Sequence, residues 1–137
     1  MGNETDLAIQ EIARHVYESL GSGHQETVYH RAMEVGLRLR EDKIKYESGK
    51  VLELTYEGHY VGEGFADLVV GLGDDTIVVE LKAVSQDMGK HEEQQLRNYM
   101  KILNVKRGLL INFQQLGKAK NSTKATELEI KPVSLTT

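Results

Sequence analysis

The chain has 137 residues, 39% apolar and 28% charged, a balance that suits one soluble domain over residues 1–137 and excludes a disordered tail. It has no cysteine, which removes disulfides, thiolate zinc sites, iron–sulfur clusters and any cysteine nucleophile. Seventeen Lys and Arg stand against 21 Asp and Glu, a formal net charge of −4, so bulk charge alone gives little grip on nucleic acid.

In chain order, Thr5 or Asp6 can cap a helix running to about Leu20, with Leu7, Ile9, Ile12, Ala13, Val16, Tyr17 and Leu20 at helical spacing. Gly21-Ser22-Gly23 breaks it. Ser22 and Gln25 read as a capping box, so a second helix is expected from about Gly23 to Arg40. It carries two apolar stripes: Val28, Ala32, Val35, Leu39, and Tyr29, Met33, Leu37.

Val51–Tyr56 reads as a strand, Glu57-Gly58 as a turn, and His59–Val61 as renewed extended chain. Phe65–Val70 and Thr76–Lys82 are two β-rich runs joined by a loop around Gly73. A third helix is expected over Lys90–Leu103, then a nearly unbroken apolar strand over Gly108–Phe113, buried on both faces. Gly117–Thr126 reads as a loop, and Glu127–Val133 as a last strand with Pro132 near its end. The order α, α, β, β, β, α, β, β implies an α/β fold with a mixed sheet flanked by helices. The third helix becomes a crossover between two parallel strands.

The chemistry centres on Asp67, Glu80 and Lys82. With a side-chain period of two, Glu80 and Lys82 share a face, while Ile77, Val79 and Leu81 face the core. A hairpin centred on Gly73 sets position 67 opposite 79; a centre half a residue later sets it opposite 80. In either register Asp67 neighbours Glu80. Two carboxylates and a lysine among apolar residues are costly unless compensated, and a divalent cation would compensate them. A solvated strand face, with Asp67 at a loop-facing strand end, explains the same three residues, and on those three alone it is the preferred reading. Glu26 extends the stripe Tyr29, Met33, Leu37 and is read either as dipole compensation at a helix start or as a site residue. Gln95 and Tyr99, four apart, are read either as a core tyrosine with a polar edge or as a pair that positions the lysine, a water or a phosphate.

Together these motifs resemble known ones. Asp67, twelve residues, then Glu80-Leu81-Lys82 resembles the core of the PD-(D/E)xK nuclease superfamily. Gln95-Leu96-Arg97-Asn98-Tyr99 resembles the QxxxY element of its RecB-like members. Gly23-His24-Gln25-Glu26-Thr27-Val28-Tyr29 resembles the motif of the GxxExxY protein family, and the likeness runs from about Leu7 to Phe113. Ala66 stands where the superfamily motif has proline, at a position without chemistry.

The resemblance implies a compact restriction-endonuclease-like αβββαβ core. It also implies a Mg²⁺- or Mn²⁺-dependent nuclease acting on nucleic acid, DNA before RNA. Carried over, Asp67 and Glu80 become metal ligands with the Leu81 backbone carbonyl as a third. Glu26 becomes the helix-borne metal-site glutamate, Lys82 the catalytic lysine, and Gln95 and Tyr99 the QxxxY pair. The missing cysteines set aside the iron–sulfur branch of RecB-like enzymes. The alternatives are a catalytically silent nucleic-acid-binding or protein-interaction module on the same fold, and a metal hydrolase of small phosphate esters.

A metal held by Glu26, Asp67 and Glu80 would leave 17 basic against 18 acidic residues, which weakens the charge objection. The bases also cluster, as Lys43, Lys45 and Lys50, as Lys101, Lys106 and Arg107, and as Lys118, Lys120 and Lys124. The small size leaves a homodimer or larger complex to supply substrate binding. No run reaches the ~18–20 apolar residues of a membrane span. The polar, acidic stretch Met1–Asp6 lacks a signal-peptide pattern, so a cytoplasmic, soluble protein is expected.

Overall fold

The computed structural model describes residues 3–40, 44–117 and 127–135. Helix α1 spans Asn3–Leu20 and α2 Glu26–Leu39. Strands β1 (Lys45–Tyr56), β2 (His59–Leu72) and β3 (Asp75–Lys82) follow, then α3 (Lys90–Leu103), β4 (Arg107–Phe113) and β5 (Leu128–Ser134). The five strands form one sheet in chain order; β3 and β4 are parallel and every other pair is antiparallel. The mixed α/β architecture read from the sequence is the one observed.

Several boundaries differ from the sequence reading. Helix α1 already begins at Asn3, so Thr5 and Asp6 lie within its first turn rather than at its cap. The Ser22–Gln25 capping box does not form: Gln25 is the N-cap, without a side-chain cap bond, and the helix starts at Glu26. Left-handed Gly21 (φ +69°) and Gly23 (φ +103°) turn the chain between the helices and leave Ser22 outside the cap position. Strand β1 begins at Lys45 rather than Val51, because Lys45–Ser48 pair with Leu68–Gly71 of β2. The sequence hides this because β1 is an edge strand whose Lys45, Glu47 and Ser48 face solvent.

Helices cover both faces of the sheet. On one face Ile9, Ile12, Ala13 and Val16 of α1 and Tyr29, Met33 and Leu37 of α2 bury Ile77, Val79, Leu81, Leu109, Ile111 and Phe113. On the other, Leu96, Tyr99 and Met100 of α3 bury Ala66, Val78 and Leu110. Burying each such side chain contributes roughly 1.5–3 kcal/mol before conformational entropy is subtracted. The stripe Val28, Val35, Leu39 on α2 stays exposed, since only the Tyr29–Met33–Leu37 face meets the sheet. Arg107 bonds both Asp6 and Asp75, tying the start of α1 and the β2–β3 turn to the start of β4. No helix among the described residues is long and apolar enough to cross a membrane.

Strand β2 serves both cores. Its Leu68 and Val70 join the α1–α2 side, whereas Ala66 joins the α3 side. The β1–β2 pairing skips one position, where Gly49 (φ +60°) lies opposite Asp67, between Ser48↔Leu68 and Lys50↔Ala66. The register is the same on both sides of this position and shifts only between Leu54 and Thr55.

Helix α3 lies close to β4 at Gly108, where a Cβ would meet Met100 Sδ at 2.8 Å and Leu96 Cδ2 at 3.0 Å. Gly108→Ala is expected to lower stability by about 1–3 kcal/mol, read by denaturant unfolding with unchanged slope.

Candidate active site

The β2–β3 hairpin adopts the later of the two registers. Leu68 pairs with Val79 and Leu72 with Asp75, so Asp67 stands opposite Glu80. Each carboxyl then accepts a backbone N–H from the facing strand. Asp67 N–H donates to Glu80 Oε1 (3.1 Å), and Leu81 N–H donates to Asp67 Oδ2 (2.8 Å). Glu80 is only 5% exposed, because its face of β3 lies on the α3 side rather than in solvent. Glu80 is therefore covered, while Asp67 and Lys82 stay half-buried.

Burial first, and then the Asp67 carboxylate, raise the Glu80 pKa, against the opposing Asp67 N–H bond and Lys82 ammonium, to about 8. Glu26 occupies the first turn of α2. Its residue surface is largely exposed, yet loss of water around the carboxyl raises its pKa, Lys82 pulls it back and Asp67 adds to the rise. Glu26, Asp67, Glu80 and Lys82 thus share one electrostatic neighbourhood built from α2, β2 and β3.

Gln95 and Tyr99 are placed differently. Gln95 Nε2 donates to the Tyr99 hydroxyl (3.2 Å), and neither side chain bonds Asp67, Glu80 or Lys82 among the described residues. The Tyr99 ring lies over Gly64 of β2, where a Cβ would come within 2.7 Å of it. The start of α3 is closer to the lysine: Glu92 accepts from Gly89 N–H (2.9 Å), and this with its own backbone bond lowers its pKa, His91 and Lys82 adding smaller pulls.

No three His, Asp or Glu groups gather into a ready metal cage among the described residues. The donor set still fits a hard cation. It is all oxygen, and Asp67 Oδ1 and Glu80 Oε2 take no hydrogen bond from the described residues. Mg²⁺ asks for one or two carboxylates with waters and a phosphate oxygen, not an all-protein cage. The side chain of Leu81 is buried in the α1–α2 core, which leaves only its backbone for such a site.

Arg107 is held by Asp6 and Asp75, Lys50 pairs with Glu47, and Lys43, Lys118, Lys120 and Lys124 lie outside the described residues. His24 bonds Leu20 O and His30 bonds Ser48 Oγ.

Asn112 is the one polar side chain within the apolar strand Gly108–Phe113, and the sequence reading assigns it no role. It is fully buried beside Lys82 in the β3–β4 ladder. Its side chain accepts from Val84 N–H (3.0 Å) and donates to Val84 O, Gln86 O and Glu129 Oε1, fixing the chain that leaves Lys82. A lone amide inside an apolar strand was the available signal.

A family model described as the PD-(D/E)XK nuclease superfamily matches residues 3–125, and the chain belongs to that superfamily. Its members are generally nucleases and typically use Mg²⁺ or Mn²⁺. The crystal structure of SSO0001 shares the fold at a TM-score of 0.54 and 14% identity, over 96% of this chain and 77% of that one. No curated protein matches the sequence.

Because Glu80 binds its proton more tightly folded than unfolded, the metal-free protein loses stability as pH rises from about 4.5 to about 8. Glu80→Gln, which keeps an acceptor and stays neutral, is expected to flatten this fall, an effect on the order of a few kcal/mol. Melting temperatures of both proteins across that range, with chelator present, provide the check. Gly64→Ala is expected to displace the Tyr99 ring while leaving the fold intact, visible as a changed tyrosine near-ultraviolet signal with unchanged far-ultraviolet spectrum.

Proposed function

We propose that this chain is a Mg²⁺- or Mn²⁺-dependent nuclease of GxxExxY type that hydrolyses phosphodiester bonds, its 137 residues acting as one nuclease-like domain. The observation that carries the reading is the Asp67–Glu80 pair: two carboxyls side by side, one nearly dry, with a lysine two residues on along the strand. Such a pair gains most from a cation. The preference for DNA over RNA rests on the motif resemblance alone.

Asp67 and Glu80 would hold the ion through Oδ1 and Oε2, with the Leu81 carbonyl as a further donor and Glu26 acting directly or through water. What a bound divalent ion supplies there is positive charge against the phosphate and a more acidic water. Glu80 must give up its proton for this, and Lys82 and the loss of repulsion from Asp67 assist. Lys82 Nζ orients the attacking water, or lies against the phosphate as its negative charge grows. From α3, Tyr99 bonded by Gln95 lies over Gly64 of β2, and Asn112 keeps the chain after Lys82 from drifting.

The test is a cleavage screen over defined single- and double-stranded DNA and RNA oligonucleotides, with and without Mn²⁺. Wild type is expected to cut only with metal, Glu80→Ala to lose cutting, and Lys82→Ala to slow it by roughly 10²-fold or more, both variants remaining folded. Undiminished cleavage by both variants ends the proposal. Binding without metal and without products would instead identify a binding module.

A further inference from the structure

We infer that Gln115, which lies outside every motif, is a positioning residue that sets Glu26 against the Asp67–Glu80–Lys82 cluster. The inference rests on the reading of that cluster as a metal site.

Glu26 is the first residue of α2, so its direction depends on the turn before it. That turn holds two glycines at positive φ, Gly21 and Gly23, and its local bonds are two, Gly21 N–H to Tyr17 O (2.8 Å) and the His24 ring to Leu20 O (3.0 Å). Further order comes from the core and from the segment after β4. The Tyr29 ring is fully buried and stacks on Phe113, centroids 4.5 Å apart and planes 4° apart. Its hydroxyl donates to Gly21 O (2.7 Å). Tyr29 is thus an internal anchor and has no exposure with which to touch a substrate.

Gln115 completes the anchor. Its Oε1 accepts from Gly23 N–H (2.7 Å), and its Nε2 donates to Tyr29 Oη (3.1 Å) and to Phe113 O (2.8 Å). Every donor of the amide is used, and turning the amide over would set its oxygen against the Phe113 carbonyl, so the network admits one orientation. The backbone N–H of Gln115 donates to Val84 O (3.0 Å), two residues beyond Lys82. One residue therefore grips the chain leaving Lys82 with its backbone and the turn entering Glu26 with its side chain. No other described residue bonds both segments. Fixing those two segments to each other fixes Glu26 relative to Lys82, the charge that acts most strongly on it.

The test compares wild type, Gln115→Ala, Glu26→Gln and the double variant in two measurements. The first is amide hydrogen exchange in metal-free protein. Gln115→Ala is expected to release Gly23 and its neighbours up to Val28 while the β3 and β4 amides stay protected. The second is Mn²⁺ binding by electron paramagnetic resonance. Each single change is expected to weaken binding about tenfold, and the double variant to bind no more weakly than Glu26→Gln alone.

Unchanged exchange at Gly23–Val28 overturns the inference. So do independent, multiplying losses of Mn²⁺ affinity, because a merely structural glutamine would add its effect to that of Glu26. Absence of Mn²⁺ binding by the wild type would overturn the metal-site reading, and the positioning role with it. The exchange data tell that result apart from a failure of the Gln115 anchor itself.

Discussion

Two acids placed opposite each other across a hairpin set the terms for the rest of this molecule. In water Asp67 and Glu80 would repel weakly; under α3 they repel in a medium that also strips their hydration. The fold tolerates them by letting each accept from a backbone N–H that carries no charge of its own. That arrangement removes part of the penalty and leaves the rest as an affinity for positive charge, whether a proton or a cation. The neighbouring Lys82 answers only in part, since it is shared with Glu26 and Glu92.

The two-sided covering of the sheet gives this pair its setting. Strands β3 and β4 are buried on both faces, so Glu80 has a core in front of it and a core behind it. Strand β2 changes sides at Asp67, which puts that residue at the seam between the two cores. Glu26 comes in from α2 on one layer, and Gln95 and Tyr99 from α3 on the other. A site drawn from both layers needs connections that cross the sheet ends, and the side chains of Asn112 and Gln115 at the end of β4 make them.

Much of this was legible in the sequence because periodicity reports which face is apolar. The order of elements, the crossover helix and the neighbourhood of Asp67 with Glu80 all followed from spacing. What did not follow has physical causes. The hairpin register turned on half a residue, and only the closed pairing Leu72↔Asp75 decides it. The cover over Glu80 depends on which face α3 crosses, which no local pattern states. The capping box at Ser22 failed because two positive-φ glycines rerouted the chain. Gln115 gave no signal, since its value lies in reaching residues 86 and 92 positions away in the chain. The roles of Glu26, Asp67, Glu80, Lys82, Gln95 and Tyr99 follow from resemblance; their placement is what the fold supplies.

The β1–β2 hairpin beyond Asp67 has a mechanical side. Strand β3 pairs only with Leu68–Leu72, so from Asp67 to its tip β2 has β1 as its sole partner among the described strands. Thr55–Val61 are all exposed, Tyr56 by 70%. The result is a cantilever about 25 Å long, rooted at a carboxyl of the site. Its clamp is Tyr99 resting on Gly64, with Leu52 buried beside it, three residues from the root. By simple leverage a load at the tip bears on the Tyr99–Gly64 contact about two- to threefold multiplied, so the arm's stiffness is set by one tyrosine ring seated on a glycine.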